Sequence, residues 1–338
     1  KGTPKSLNSQ NTTIPRVVTD LQMQFIYTTT SSVRLYWTAP NNTNLATTTP
    51  ATYQISYYQQ SGGNCLTTLT STNFDDGTLI NGSMASLAQG TVATSTVSGL
   101  LTNTAYCFAV KTNNGFNDSG LSNVYTASTI SGSYTNYAGY PGTESTTLAS
   151  STSPYYFTGS IAIPSNKTLT IQPGTVVKLA PGLNITFGGN STLVMGTSSD
   201  TVNAAVITSR DDDTYNGQAK NGSNTVVSDS TPGAGDWGKI LGGTGAVVNI
   251  NHGIISYGGG ALNTPMMSFS AGTIAINNSI IQYSNNHGLI VGGATTSLTL
   301  SNSIIRNTLD VGLGITSSAI ANVQGSTFTA IRRGISVD

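Results

Sequence analysis

The stretch "TIAINNSIIQYSNNHGLIV" at 273–291 and the stretch "SLTLSNSIIRNTLDVGLGIT" at 297–316 repeat one another closely. Ile276 falls on Leu300, Ser279 on Ser303, Ile281 on Ile305 and Gly288 on Gly312, always 24 residues apart. The repeat continues on both sides. "VVNINHGIISYGG" at 247–259 sets Ile250 on Ile276 and Ile255 on Ile281, while "NVQGSTFTAIRRGISV" at 322–337 sets Val323 on Leu300 and Phe328 on Ile305. The period wanders between 22 and 26 residues. Helical repeats rarely tolerate this, whereas a coil of short strands absorbs it in its turns.

Within each repeat the pattern is that of strands. Ile274 and Ile276, Leu298 and Leu300, Leu289 and Val291, Leu313 and Ile315, Ile335 and Val337 alternate with small or polar residues. One such coil cannot bury its apolar positions, so stacked neighbours must cover them. The serines 279, 303 and 326 and the pair Asn278 and Asn302 then lie at turns, where they hydrogen-bond from coil to coil. Gly288, Gly312 and Gly334 are expected to supply a positive φ at another turn.

Composition limits the partners. Only 8% of residues are charged, against about 25% in ordinary soluble domains. Ser, Thr, Asn and Gly must therefore cover the surface. Net charge is zero and no basic block exists, which excludes nucleic acid and anionic lipid as partners. No apolar run reaches the ~18 residues that cross a bilayer, and no signal peptide is legible. Because the chain starts at Lys1, it reads as a processed mature form or a trimmed segment. Sequons at Asn11, Asn41, Asn81, Asn117, Asn166, Asn184, Asn190, Asn221 and Asn277 are candidate glycosylation sites of a secreted or cell-surface protein.

Residues 14–129 read as short alternating strands between Gly, Pro, Asn and Asp clusters, a β-sandwich pattern preceded by a polar arm at 1–13. Val33, Leu35 and Trp37 share one face of "SVRLYWTAP"; Tyr53, Ile55 and Tyr57 share one face of "TYQISYY"; Tyr106, Phe108 and Val110 share one face of "TAYCFAVKT". With "GLLTNTAYCFAV" and "SGLSNVYTAST", these residues resemble a fibronectin type III domain of the bacterial extracellular kind. The resemblance makes Tyr106 a tyrosine corner whose hydroxyl bonds backbone at the sheet edge. In that register Cys107 points away from the core beside the "YQISYYQQ" strand, and Cys65 follows that strand, so a Cys65–Cys107 disulfide is expected.

Residues 130–153 read as a linker or cap, whose Tyr134, Tyr137 and Tyr140 either pack or stack on sugar rings. From 154 to 338, "LTIQPGTVVKL", "NITFGGNSTLVMGTS", "AAVITSRDDD" and "GDWGKI" resemble the opening coils of right-handed parallel β-helix proteins of the pectate-lyase-like group. That resemblance implies a polysaccharide-binding or polysaccharide-cleaving protein, a lyase or hydrolase, among several uses of the scaffold.

The residues themselves oppose catalysis. Glycoside hydrolysis needs two facing carboxylates, yet the chain has one glutamate, Glu144, and from 247 onward only Asp310 and Asp338. Asp211, Asp212, Asp213 and Asn216 form the one candidate calcium site, lacking a downstream glutamate; no other cofactor is expected. His252 and His287 do not align and form no evident pair. The repeat runs to Asp338 without a cap, which exposes Phe328, Ile331, Ile335 and Val337 as an assembly surface. The sequence thus describes an all-β, non-enzymatic extracellular protein, structural or adhesive. Its expected partners are copies of itself end to end, in a surface filament or layer, and surface carbohydrate.

Overall fold

The computed structural model describes residues 14–40, 52–60, 65, 69–82, 87–114, 117–229, 231–260 and 264–338. The chain forms two compact units, one running to Gln24 and again over Thr28–Ser131, the other made of Phe25–Tyr27 and Gly132–Asp338. The first is the expected β-sandwich. A three-stranded antiparallel sheet holds Gln22–Met23, Ser32–Thr38 and Val92–Ser98, and a four-stranded one holds Thr78–Gly82, Thr52–Gln59, Ala105–Asn113 and Tyr125–Ser128. Val33, Leu35 and Trp37 of one sheet meet Ile55, Phe108 and Val110 of the other in a single core. The backbone N–H of Leu101 donates to the Tyr106 hydroxyl at 2.8 Å, pinning the chain where it enters the long strand.

Cys65 and Cys107 are joined, with Cα atoms 5.4 Å apart. Cys107 lies opposite Tyr58 on the sheet face away from the main core. That face is not bare, because Leu69, Phe74 and Ala109 bury the bridge in a second cluster.

The second unit is a right-handed parallel β-helix. Each full coil supplies one strand to each of three sheets, as in Thr296–Ser301, Ile304–Thr308 and Val311–Ile315. We call these the first, second and third sheets; they contain seven, eight and seven strands. The registers are those read from the repeat: Ile250, Ile276, Leu300 and Val323 pair in series, as do Ile255, Ile281, Ile305 and Phe328. These rows and the third-sheet row of Met267, Leu289 and Leu313 form one continuous core.

The serines form the expected ladder. The N–H groups of Gly253, Ser279 and Ser303 donate to the hydroxyls of Ser279, Ser303 and Ser326 at 3.0, 3.1 and 3.2 Å, so every coil closes the turn of the one before. Asn278 also reaches back, its Nδ2 donating to Asn251 Oδ1 at 3.3 Å.

Three expectations change. Gly288, Gly312 and Gly334 do not carry a positive φ; it lies at His252, Asn278, Asn302 and Gly325, at 57°, 50°, 48° and 61°, between the first and second sheets, and at Tyr257, Tyr283, Asn307 and Ala330 where the second sheet ends. Asn enters this region more easily than other non-glycine residues. Gly312 is small for another reason: a Cβ there would meet the Phe328 ring at 2.7 Å. Second, the solenoid begins before residue 154. Thr135–Tyr137 and Thr146–Leu148 pair with the second and first sheets, so 130–153 holds the first coil and not a linker. Tyr137 stacks on Tyr155, and Tyr140 packs against the solenoid core. Third, the four residues expected at an exposed C-terminal ring divide. Phe328 and Ile331 are partly covered, whereas Ile335 and Val337 are exposed, together with Ile320.

Stacking makes inward and outward substitutions unequal. Leu300→Ala should lower the unfolding free energy by roughly 3 kcal/mol and Ser303→Ala by about 1–3 kcal/mol, while outward Thr299→Ala should stay within about 0.5 kcal/mol. Urea unfolding followed by circular dichroism measures all three.

Candidate functional site

The second sheet carries an unusual outward column. Strand register aligns Asn136, Tyr156, Lys178 and Thr208. Beyond the Ile207–Ile255 pair it continues through Ser256, Gln282 and Arg306. On a solvated face these would be independent side chains, but here they are linked. Gln282 Nε2 donates to Ser256 Oγ at 3.0 Å, and Arg306 Nε donates to Gln282 Oε1 at 2.8 Å. Gln282 is buried, so it fixes the direction of the Arg306 guanidinium.

Over the early part of this column lies the long excursion 210–239, inserted between strands Ala205–Ser209 and Ile240–Gly242. Lys178 is fully buried beneath it, its Nζ donating to the carbonyl oxygens of Asp212, at 2.9 Å, and Gly217. The Tyr134 ring lies 5.6 Å from the ammonium, and its hydroxyl donates to Gly217 O. A buried ammonium needs such partners, and its point charge closes the loop on the sheet.

The carboxylates expected to hold calcium serve the same loop. Asp211 accepts from Arg210 Nε and Asp229 N–H. Asp212 accepts from the Thr208 hydroxyl at 2.6 Å and from Thr214 N–H. Asp213 accepts from the Ser228 hydroxyl, and Asn216 Nδ2 donates to Phe25 O. Among the described residues no three of His, Cys, Asp and Glu come together as a set that could hold a metal ion. Asp236 accepts from Ser209 and from Gly233 N–H, and Trp237 is buried, its indole donating to Ser256 O.

Beyond the loop the column is flanked by aromatic rings that the sequence reading did not single out. Tyr257 and Tyr283 stack with centroids 4.8 Å apart and planes 5° apart, and Tyr27 lies 5.6 Å from Tyr215. Both stacked tyrosines have positive φ, 67° and 59°. In the next two coils the same turn position holds Asn307 and then Ala330, also at positive φ. A tyrosine there costs about 1–2 kcal/mol of backbone strain, which the stacking and, for Tyr257, packing against the solenoid core offset. The visible signal was the break in a column otherwise held by smaller residues. Desolvation, then Asp212, Tyr283 and Asp236, push the Tyr257 hydroxyl up to about 12.

Elsewhere, Asp310 is held by both Nε and Nη2 of Arg333, and His287 Nδ1 lies 3.9 Å from Asp310. His252 Nδ1 instead meets Asp200 O. Asn11, Asn41 and the Asn81 side chain lie outside the described residues. Asn166 and Asn190 are exposed, while Asn117, Asn184, Asn221 and Asn277 are half-buried. Asn184 and Asn277 also accept hydrogen bonds from neighbouring coils.

No family model matches the chain and no curated protein matches it. Among solved structures, one described as a myokine is 11% identical, covering 34% of this chain and 98% of its own at a TM-score of 0.22. The third fibronectin III domain of human KIAA0343 protein is 16% identical, covering 39% and 96% at 0.26. A family 28 exopolygalacturonase of Yersinia enterocolitica is 12% identical, covering 95% and 86% at 0.24. Likeness at this level says nothing about chemistry.

The Lys178 site has a pH signature. Burial pulls its ammonium down to about 8, against the raising influence of Asp213, Asp212 and Asp211. The folded value lies below that of the unfolded chain, so the unfolded state binds more protons between about pH 8 and 10.5. Stability should therefore rise with pH across that window, by roughly 3 kcal/mol in all. Above about pH 10 the trend opposes this, because desolvation keeps the Tyr134 and Tyr215 hydroxyls protonated in the folded state only. Denaturation between pH 7 and 10 should show the rise, and Lys178→Met should flatten it.

Proposed function

We propose that the chain is a secreted, non-catalytic structural or adhesive surface protein, a fibronectin type III-like module joined to a β-helix of the pectate-lyase-like kind. One observation carries this reading: the carboxylates of the loop and coils are engaged in holding the fold. Asp211, Asp212, Asp213 and Asp236 tie down the loop, and Asp310 is bound by Arg333. A glycosidase instead keeps two carboxyl groups facing one bond, with environments that separate their pKa values. The disulfide favours an oxidising compartment. Exposed Asn166 and Asn190 are the sequons best placed to carry glycans.

Incubation with pectin, alginate and glucan should release neither unsaturated nor reducing ends. Release that disappears in Asp212→Ala or Asp310→Asn would make the protein a polysaccharide-cleaving enzyme instead.

The finer reading is a subunit of a homopolymer. In it a second copy would cover Ile320 and Val337, 68% and 72% exposed. Sedimentation should then show assembly of the 338-residue chain that Ile335→Asp abolishes; a monomer at high concentration contradicts it.

A further inference from the structure

We infer that His287 is an acid-sensitive fastening between two coils of the solenoid: its neutral imidazole accepts a backbone N–H of the next coil, and protonation releases that bond and loosens the joint between the second and third sheets. The inference stands apart from the surface-protein reading and rests on how the two histidines of the chain are wired.

They are wired in opposite senses. His252 Nδ1 lies 2.8 Å from Asp200 O. A carbonyl oxygen only accepts, so this nitrogen carries a hydrogen, and a second proton, taken up at Nε2, leaves the contact intact. His287 Nδ1 is instead the acceptor and receives the Val311 N–H at 3.3 Å. Its hydrogen must therefore sit on Nε2, and a second proton can enter only at Nδ1, where two donors would then face each other. Acid leaves one turn untouched and breaks a bond in the other.

The place of His287 gives that bond its effect. His287 lies in the turn between strands Ile280–Ser284 and Leu289–Val291, and Val311 opens the third-sheet strand Val311–Ile315 of the next coil. Val311 is buried, so an N–H that loses its acceptor there reaches water only if the joint opens. Around the same turn the N–H of Gly288 donates to Val311 O, that of Asp310 to Asn286 O and that of Arg333 to Asp310 O. Into this set of backbone bonds, which spans three coils, His287 introduces an acceptor that titrates.

Two charged groups face the imidazole. Asp310 Oδ2 lies 3.9 Å from Nδ1 and attracts a proton there, but Arg333 already holds that carboxylate, Nε at 3.2 Å and Nη2 at 2.9 Å, and its own charge opposes a second cation. Arg332, on the coil of Arg333, acts on Asp310 in the same direction as Arg333. Desolvation, which outweighs the attraction of Asp310 and is joined by Arg333, pulls the His287 imidazole below its ordinary value. The opened joint therefore takes up a proton before the closed one, and the closed form loses stability as pH falls through the ordinary histidine range.

Nuclear magnetic resonance of the full chain, isotope-labelled at the histidine nitrogens alone, should show His252 as the Nδ1–H tautomer and His287 as the Nε2–H tautomer. Hydrogen exchange, corrected for the intrinsic effect of pH, should show the Val311 amide losing protection about threefold to tenfold between about pH 7.5 and about pH 5.5; about tenfold is the limit for one proton taken up only on opening by a group that titrates near 6.5. The amides of Thr296–Ser301, in the first sheet of the same coil, should keep theirs. His287→Asn puts an acceptor that does not titrate close to where Nδ1 stood and should abolish the pH dependence, whereas His252→Asn should leave it in place. Should His287→Asn fail to fold, the tautomer and the wild-type profile still decide. An Nδ1–H tautomer at His287 overturns the proposal, as does a pH dependence that survives His287→Asn. Protection at Val311 that is unchanged in acid, that rises because Asp310 captures the imidazolium, or that is lost equally over Thr296–Ser301 overturns it as well.

Discussion

A coil of some two dozen residues cannot hide its own apolar side chains from water, and the solenoid depends on each coil being covered by the next in one register. Ile276 over Leu300 and Ile281 over Ile305 are not separate contacts but members of rows running through the whole unit. A shift of one residue would turn each row outward, because side chains alternate faces along a strand. The Ser279–Ser303–Ser326 ladder acts against such a shift by offering each buried turn N–H one acceptor at one height. Hydrophobic stacking supplies the energy and the serine ladder fixes the register.

Once stacking is satisfied, departures from repetition become informative. The excursion 210–239 interrupts the period and brings with it a buried ammonium under a group of carboxylates, an arrangement that closes a loop on a sheet. The tyrosines 257 and 283 depart in another way, by placing large rings at a turn that the following coil makes with Asn. The first departure is explained by the hydrogen bonds that it makes. The second is offset by the stacking of the two rings and by the packing of Tyr257 against the solenoid core.

Much of the fold was legible because the repeat encodes it directly: rows at 24-residue spacing became rows in space, and alternating Val33, Leu35 and Trp37 became a sandwich core. Backbone geometry was less legible. Glycine at 288, 312 and 334 looked like a turn signal, yet none has a positive φ, and Gly288 and Gly312 are small because the neighbouring coil approaches closely; a repeated Gly does not reveal which of the two it serves. The first coil at 135–148 was hidden because it contributes few apolar residues. The acidic run at 211–213 suggested metal, but the side chains that occupy it, Thr208, Ser228 and Arg210, could be assigned only once the loop was folded. Gln282 and Arg306 were invisible as a pair because the link between them crosses coils.

Cysteine cross-linking tests the stacking register most directly. Ala275 and Thr299 face outward and pair in the first sheet, as do Ala275 and Asn249 on its other side. Ala275→Cys combined with Thr299→Cys should form an intrachain disulfide on mild oxidation, whereas Ala275→Cys combined with Ser297→Cys or Ser301→Cys, two residues out of register, should not. Efficient closure of an out-of-register pair, with failure at 275 and 299, would contradict the stacking on which the core, the ladder and the outward column all rest.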